Sequence, residues 1–188
     1  KLFVAANSYV GDSITKFGVV RYGNVMGSRG SVIPFFLSIK DSGIIPVTDA
    51  GMTRFMITLE EGVDLVWKAF EDMQGGEIYV KKIPSMKVTD IALAVDCEAR
   101  QEEVGIRPGE KLHEQMIGPE DVFYTYEYSG YFKILPSINE WAKDPERIGK
   151  GVKVESDFIY SSDKNKEWMD VKTLRNWIDN NCNKIGNI

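Results

Sequence analysis

The stretch that decides the fold is FGVVRYGNVMGSRGSV, Phe17 to Val32. It opens on the apolar run Phe17-Gly18-Val19-Val20, the pattern of a strand covered on both faces. It then breaks into a turn-rich segment with glycine at positions 23, 27 and 30. Pro34 stands where a helix can begin, and Phe35-Phe36-Leu37 supplies an apolar face for it. Strand, glycine-bearing loop and helix in that order make a unit of an α/β sheet. Ligands of open α/β sheets bind beyond the carboxyl ends of the strands, which is where this loop lies. Gly23, Gly27 and Gly30 let backbone amides come close to a ligand. Asn24 can donate to a phosphate oxygen or accept from a sugar hydroxyl, and Arg29 offers a planar fork to an anion. Taken alone, the loop reads equally well as a glycine-rich surface turn.

Working outward, Ile44 to Val47 is a short strand. Thr58-Leu59-Glu60-Glu61 has the form of a capping box. Val63, Val66, Trp67 and Phe70 follow at helical spacing, so the pattern predicts a helix over about 59–73, stopped by Gly75-Gly76. Glu77 to Ile83 alternates as a strand. Thr89-Asp90 opens a helix over 89–97, and Val104 to Ile106 reads as a strand. Residues 122–135 are rich in Tyr and Phe and read as irregular or β structure. The tail from about 164 ends in a helix with Trp168, Leu174, Trp177 and Ile178 on one side. Strands and helices alternate, which gives an α/β chain. No Gly-x-Gly-x-x-Gly motif opens a strand–helix unit, so a dinucleotide domain would lack its first half.

Composition narrows the function. The 188 residues are 43% hydrophobic and 27% charged, an ordinary globular balance. The net charge of −5 argues against broad nucleic-acid binding, but a phosphorylated small molecule needs only a few well-placed cations. No run approaches the roughly 18 consecutive apolar residues of a membrane span. Cys97 and Cys182 form neither a disulfide framework nor a zinc pattern. They are expected to be small buried hydrophobes in a reducing cytoplasm. No signal peptide precedes Lys1-Leu2-Phe3-Val4-Ala5-Ala6, which reads as the middle of a helix, so the natural start is expected upstream.

Two further segments carry candidate chemistry. In Pro46-Val47-Thr48-Asp49-Ala50-Gly51-Met52-Thr53-Arg54-Phe55, Arg54 lies between apolar residues before a capped helix. It reads as a structural ion pair somewhat more readily than as an anion clamp. In Gly105-Ile106-Arg107-Pro108-Gly109-Glu110-Lys111-Leu112-His113-Glu114, Arg107 and Glu110 flank a rigid Pro-Gly turn. The cation suits a diphosphate and the carboxylate suits ribose hydroxyls; a plain charged turn is the equal alternative. His113 is the one histidine. With no partner in view for a dyad or a metal, it reads as structural.

Together these stretches resemble the C-terminal half of the extended short-chain dehydrogenase/reductases. Within them the chain is most similar to the inverting UDP-N-acetylglucosamine 4,6-dehydratases that begin pseudaminic acid synthesis. The resemblance rests on KLFVAAN, VVRYGNVMGSRGSVIPFF, MTRFMITLEEGVD, GGEIYVKKIPSMKVTD and GIRPGEKLHE, dense over about residues 1–118, and on DFIYSSDKNKEW in the tail. It implies an α/β chain made of the last sheet strands of an NAD(P)-binding Rossmann-like fold plus the small substrate-binding subdomain. Residues 1–30 would end the Rossmann-like domain. Residues 31–135 would be mainly the sugar-nucleotide-binding subdomain with returning Rossmann elements, and 136–188 a C-terminal extension.

By the same resemblance Asn24, Arg29, Thr48, Arg54, Arg107 and Glu110 would contact the UDP-sugar, with Arg54 and Arg107 on the diphosphate and Glu110 on the ribose. Val25 would lie near the nicotinamide end of NADP. The family's phosphate-binding glycine loop, Thr-Asp-Lys stretch and Tyr-x-x-x-Lys pair are expected upstream of Lys1, so the catalytic residues are not in this chain. Alone it is expected to bind the UDP-sugar and to be inactive. Ala50-Gly51 stands where relatives carry a charged residue.

The implied reaction oxidises C4 of UDP-N-acetylglucosamine by hydride transfer to NADP, loses H5 and the 6-hydroxyl as water, and returns hydride to C6 with inversion at C5. The product is UDP-2-acetamido-2,6-dideoxy-β-L-arabino-hex-4-ulose. A cytoplasmic homo-oligomer is implied, with no nucleic acid, membrane or metal. A retaining dehydratase, a capsule-type dehydratase/epimerase and a non-catalytic UDP-sugar-binding module remain alternatives.

Overall fold

The structure, a computed structural model, describes residues 2–138 and 141–186; Lys1 lies outside the described residues. The strands are β1 (Val19–Arg21), β2 (Asn24–Val25), β3 (Ile44–Val47), β4 (Thr53–Ile57), β5 (Ile78–Lys81), β6 (Ser85–Lys87), β7 (Arg100–Glu103), β8 (Gln115–Ile117), β9 (Thr125–Tyr128), β10 (Tyr131–Ile134), β11 (Val152–Lys153) and β12 (Tyr160–Ser161). The α-helices are α1 (Leu2–Ala6), α2 (Val32–Ile39), α3 (Leu59–Asp72), α4 (Val88–Val95), α5 (Pro119–Val122), α6 (Pro145–Ile148) and α7 (Val171–Asn181). The chain folds into two compact units. One comprises residues 1–22, 60–82 and 115–160, the other 23–59, 83–114 and 161–188.

The first unit carries a five-stranded sheet in the order β1-β5-β10-β9-β11. β1 runs parallel to β5 with Val20 opposite Tyr79, while β10 is antiparallel to both β5 and β9. Ile78, Tyr79 and Val80 are all buried, as expected of a strand covered on both faces. Helix α3 packs Leu65 and Ala69 against Tyr79, with Val20, Met73 and Tyr131 around them.

The helix lies where the spacing of Val63, Val66, Trp67 and Phe70 predicts it, but Val63, Trp67 and Phe70 are exposed, Trp67 at 63% and Phe70 at 61%, and the buried line is Gly62, Leu65 and Ala69. A pattern that scores only large apolar residues overlooks such a face.

The most buried ion pair of this unit among the described residues is Glu77–Arg147. The pair closes at 2.6 Å, with side-chain exposures of 1% and 8%. Glu77 also accepts from the Gly75 amide at 2.7 Å, and Arg147 donates to the Gly75 carbonyl at 2.8 Å. The guanidinium stacks on Trp141, 4.2 Å from the ring centre. Asp144 caps α6 by accepting from the Glu146 amide.

The second unit contains a three-stranded sheet, β2-β4-β6, and a parallel pair, β3-β7. Asn24 lies opposite Met56 and Val25 opposite Ile57 in the parallel β2–β4 pairing. The core joins Met26, Ile33, Phe36, Ile45, Met52, Met56, Met86, Ile91, Leu174 and Ile178. Helix α7, capped by Asp170 accepting from the Thr173 amide at 2.6 Å, buries Leu174 and Ile178 as the spacing predicts.

Three readings are corrected in this unit. Trp168 precedes α7, is exposed, and donates through Nε1 to the Asn165 carbonyl. Cys97 and Cys182 are free and exposed rather than buried, one just beyond α4 and the other at the end of α7. The strand expected at 104–106 lies at Arg100–Glu103 instead. Gly105 sits at φ +85, a left-handed conformation that a strand cannot pass through. The polar sequence Arg-Gln-Glu-Glu pairs because β3 offers it an edge. Among the described residues no helix is long and apolar enough to cross a membrane.

Removing one partner of a buried ion pair strands the other charge, at a cost of about 3–5 kcal/mol. Arg147→Ala and Glu77→Gln should therefore each lower the unfolding free energy by about that amount in urea titrations. A loss below about 1 kcal/mol would show that the pair is not the anchor described.

Candidate functional site

The second unit holds a cavity of about 620 Å³. Its wall includes Asn24, Thr48, Arg54, Arg107 and Glu110, with Phe35, Pro46, Met52, Val88 and Val104 supplying apolar surface. Five of the residues read as substrate contacts thus meet on one cavity, although they come from three separate stretches of chain. Arg29 and Val25 are not on its wall. Arg29 is exposed, its Nε 3.5 Å from the Gly186 carbonyl. Val25 is half-buried in β2, and its carbonyl accepts from the Ser28 amide at 3.2 Å.

Each side chain is placed by the local structure. Asn24 begins β2, and the residue before it lets β2 lie against β4. A Cβ added to Gly23 would fall 2.3 Å from Phe55 Cβ and 2.6 Å from the Phe55 carbonyl oxygen. Gly27 backs onto the Trp177 ring. These two glycines therefore serve protein packing rather than ligand approach, while Gly30 does line the cavity. Thr48 follows β3 and enters a turn that Asp49 closes by accepting from the Gly51 amide at 2.7 Å.

Arg54 lies in β4 with its side chain only 13% exposed. Its Nη1 donates to the Thr53 carbonyl at 2.8 Å and to the Leu112 carbonyl at 3.1 Å. The guanidinium also sits 3.5 Å from Glu110 and 3.8 Å from Glu114. The sequence left Arg54 between ion pair and clamp. The structure gives it ion-pair partners and a place on the cavity wall together. Arg107 is different. It is exposed, and its guanidinium makes no hydrogen bond or ion pair among the described residues. Its turn is closed by the Glu110 amide donating to the Arg107 carbonyl at 3.0 Å and by the Arg107 amide donating to Glu110 Oε2 at 3.3 Å.

Two residues that the sequence did not single out belong to this site. Ser31 lines the cavity at the start of α2, and its Oγ is buried without a partner. Glu114 stands behind the wall. Its carboxylate accepts from the Phe55 amide at 3.3 Å and faces the Asn24 amide group, whose NH2 is assigned to that side because a carboxylate only accepts; so placed, the nitrogen lies 3.1 Å from both carboxylate oxygens. Burial pushes the Glu114 carboxyl above the ordinary carboxylate range, against the opposing pull of the Phe55 amide and Arg54. The one signal in the sequence was a second acid four residues after Glu110.

His113 has the structural place expected of it. Its Nδ1 is 2.8 Å from Thr53 Oγ1, which also meets Ser162 Oγ at 2.7 Å.

Residues 1–136 match the family described as "Polysaccharide biosynthesis protein". Over 181 residues the chain is 51% identical to the "UDP-N-acetylglucosamine 4,6-dehydratase (inverting)" of Campylobacter jejuni subsp. jejuni serotype O:2, covering 93% of this chain and 54% of that protein. It is 37% identical over 139 residues to a "UDP-glucose 4-epimerase" of Rickettsia akari, covering 71% of this chain and 41% of the relative. The solved structure of Pen from Bacillus thuringiensis superposes with a TM-score of 0.79 at 34% identity, over 95% of this chain and 54% of that one. The chain spans about half the length of the inverting dehydratases that it matches. The mixed α/β fold with its parallel strand pairs is that of the C-terminal half of an extended short-chain dehydrogenase/reductase.

Gly23→Ala tests how the cavity is built. The added methyl must push β2 from β4, and forced overpacking of this kind costs about 1–3 kcal/mol. Chemical denaturation should show a loss in that range, and a variant within 0.5 kcal/mol of wild type, by roughly the scatter of neutral surface changes, would refute the close approach.

Proposed function

Because the chain belongs to the polysaccharide biosynthesis protein family, we propose that its second unit is the UDP-sugar-binding part of an inverting UDP-N-acetylglucosamine 4,6-dehydratase. The observation that carries this is the single cavity on which Asn24, Thr48, Arg54, Arg107 and Glu110 converge. The 51% identity to a protein of that name supports this choice of substrate and reaction.

The wall has the chemistry such a ligand requires. A nucleoside diphosphate sugar offers a base, a ribose diol, a diphosphate and a hexose. Arg107 is exposed and free of charged partners among the described residues, so it can close on the diphosphate without first breaking a contact. Arg54 is held by two backbone carbonyls and can present its remaining edge to the same group. The Arg54–Glu110 contact, at 3.5 Å, is longer than a charge-assisted hydrogen bond. A phosphate can therefore take that place while Glu110 turns to the ribose hydroxyls. Thr48 adds a hydroxyl, and Val88, Val104 and Phe35 give the base an apolar surface.

Binding energy of this kind, remote from the reacting carbons, orients the hexose. The nicotinamide cofactor of the extended short-chain family, NADP in this reading, would supply hydride removal and return when bound. Of this chain, the backbone at Val25 would lie near its nicotinamide end. The phosphate-binding loop and the acid/base residues are expected upstream of Lys1. The free, exposed cysteines support a reducing cytoplasm. Self-association is part of the same reading, supported by the uncovered Trp67 and Phe70 of α3.

Arg107→Ala tests the reading. Hydrogen bonds to charged groups contribute about 1.5–3 kcal/mol, so UDP and UDP-N-acetylglucosamine should both bind about 10- to 150-fold more weakly. The melting temperature should not change, and Arg107→Lys should recover only part of the affinity. Titration calorimetry on the folded proteins decides, and unchanged UDP affinity in Arg107→Ala would remove this residue from the site.

A further inference from the structure

An asparagine on a cavity wall can face a ligand with its carbonyl or with its NH2, and the two readings select opposite chemistry. The carbonyl accepts from hydroxyl and N–H groups, whereas the NH2 donates to phosphate oxygens. At Asn24 the choice is made from behind. The amide group faces Glu114, and because a carboxylate only accepts, the NH2 rather than the carbonyl is assigned to that side, where the nitrogen lies 3.1 Å from both carboxylate oxygens. The reverse orientation would set the carbonyl oxygen against an acceptor-only carboxylate.

Glu114 is in turn immobilised. Its amide donates to Ser162 Oγ at 2.9 Å and its carbonyl accepts from the Ser162 amide at 2.8 Å. Its carboxylate takes the Phe55 amide and the edge of Arg54. Every group facing that carboxylate in these contacts is a donor. Glu114 does not reach the cavity wall itself, whereas Asn24 does.

We propose that Glu114 is a positioning residue that fixes Asn24 as a hydrogen-bond acceptor toward the cavity, so that Asn24 reads a hydroxyl or N–H of the sugar and not the diphosphate. This rests on the reading of the cavity as a sugar-nucleotide site. It divides the wall by function. Arg54 and Arg107 supply the attraction common to any UDP compound, and Asn24 supplies discrimination in favour of one that carries a hexose. A phosphate at Asn24 would meet a carbonyl dipole backed by a carboxylate.

The test is the ratio of affinities for UDP-N-acetylglucosamine and UDP, measured by calorimetry on the protein carrying this chain and on folded variants. One neutral hydrogen bond corresponds to about a 2- to 12-fold change in affinity. Asn24→Ala should therefore lower affinity for the sugar nucleotide by that factor more than affinity for UDP. Glu114→Ala should lower the same ratio, and Glu114→Gln, which keeps one acceptor for the Asn24 amide, should recover part of it. In an Asn24→Ala background neither change at Glu114 should lower the ratio further, a result that loss of general stability would not give.

Should Glu114→Ala fail to fold, Asn24→Ala and Glu114→Gln still decide. An equal loss for both ligands in Asn24→Ala would assign Asn24 to the diphosphate and overturn the proposal while leaving the site in place. A folded wild-type protein that binds neither ligand would overturn the site and this assignment together.

Discussion

Arg54 is the constraint on which the second unit depends. A guanidinium this little exposed must be paired or it is prohibitively costly to bury. Its partners bring the unit together. Through the Leu112 carbonyl and the carboxylates of Glu110 and Glu114 it ties β4 to the 105–114 turn, which Gly105 has already broken from β7. The Thr53–His113–Ser162 hydrogen bonds fasten the same turn on the other side of the strand. Backbone hydrogen bonds from Thr53 to Leu112 and from Val104 to Val47 hold the same segment to β4 and β3, and Arg54 adds the side-chain contacts that face the cavity. In the proposed reading the same residue serves stability and recognition, and a choice between ion pair and anion clamp does not describe it.

The two units use buried charge differently. In the first, Glu77 and Arg147 satisfy one another with short contacts and aromatic stacking. Lys133, Asp72 and Tyr79 form a second closed set at 2.9 and 2.7 Å. These pairs leave nothing to offer a ligand. In the second unit the ion pairs of Arg54 are long and Arg107 has no described partner, so positive charge remains available at the cavity. Loosely matched charge lies at the proposed UDP-sugar site and tightly matched charge lies in the other unit.

Much of this was legible in the sequence. The strand–loop–helix order at Phe17 to Val32, the strand at Ile44–Val47 and the α7 core residues follow from apolar spacing. The gathering of Thr48, Arg54, Arg107 and Glu110 followed from motif resemblance rather than from any period. What escaped has physical causes. The buried face of α3 is made of Gly62, Leu65 and Ala69, and small residues carry little weight in an apolar pattern. The strand Arg100–Glu103 is polar and exists because β3 has an edge to pair. Gly23 and Gly27 looked like ligand-approach glycines, yet the bodies that approach them are Phe55 and Trp177. Glu114 was missed because its partners are far off in sequence, and the meaning of a carboxylate depends on what it faces.

The central claim is that separated segments of the second unit form one site for a UDP-sugar. The most direct measurement is an amide-resolved NMR titration of the protein with UDP. The account predicts that resonances of Thr48, Arg54, Arg107 and Glu110 shift together along one saturating curve, while Glu77 and Arg147 of the first unit stay unmoved. Shifts confined to the first unit, or separate curves for Arg54 and Arg107, would contradict it.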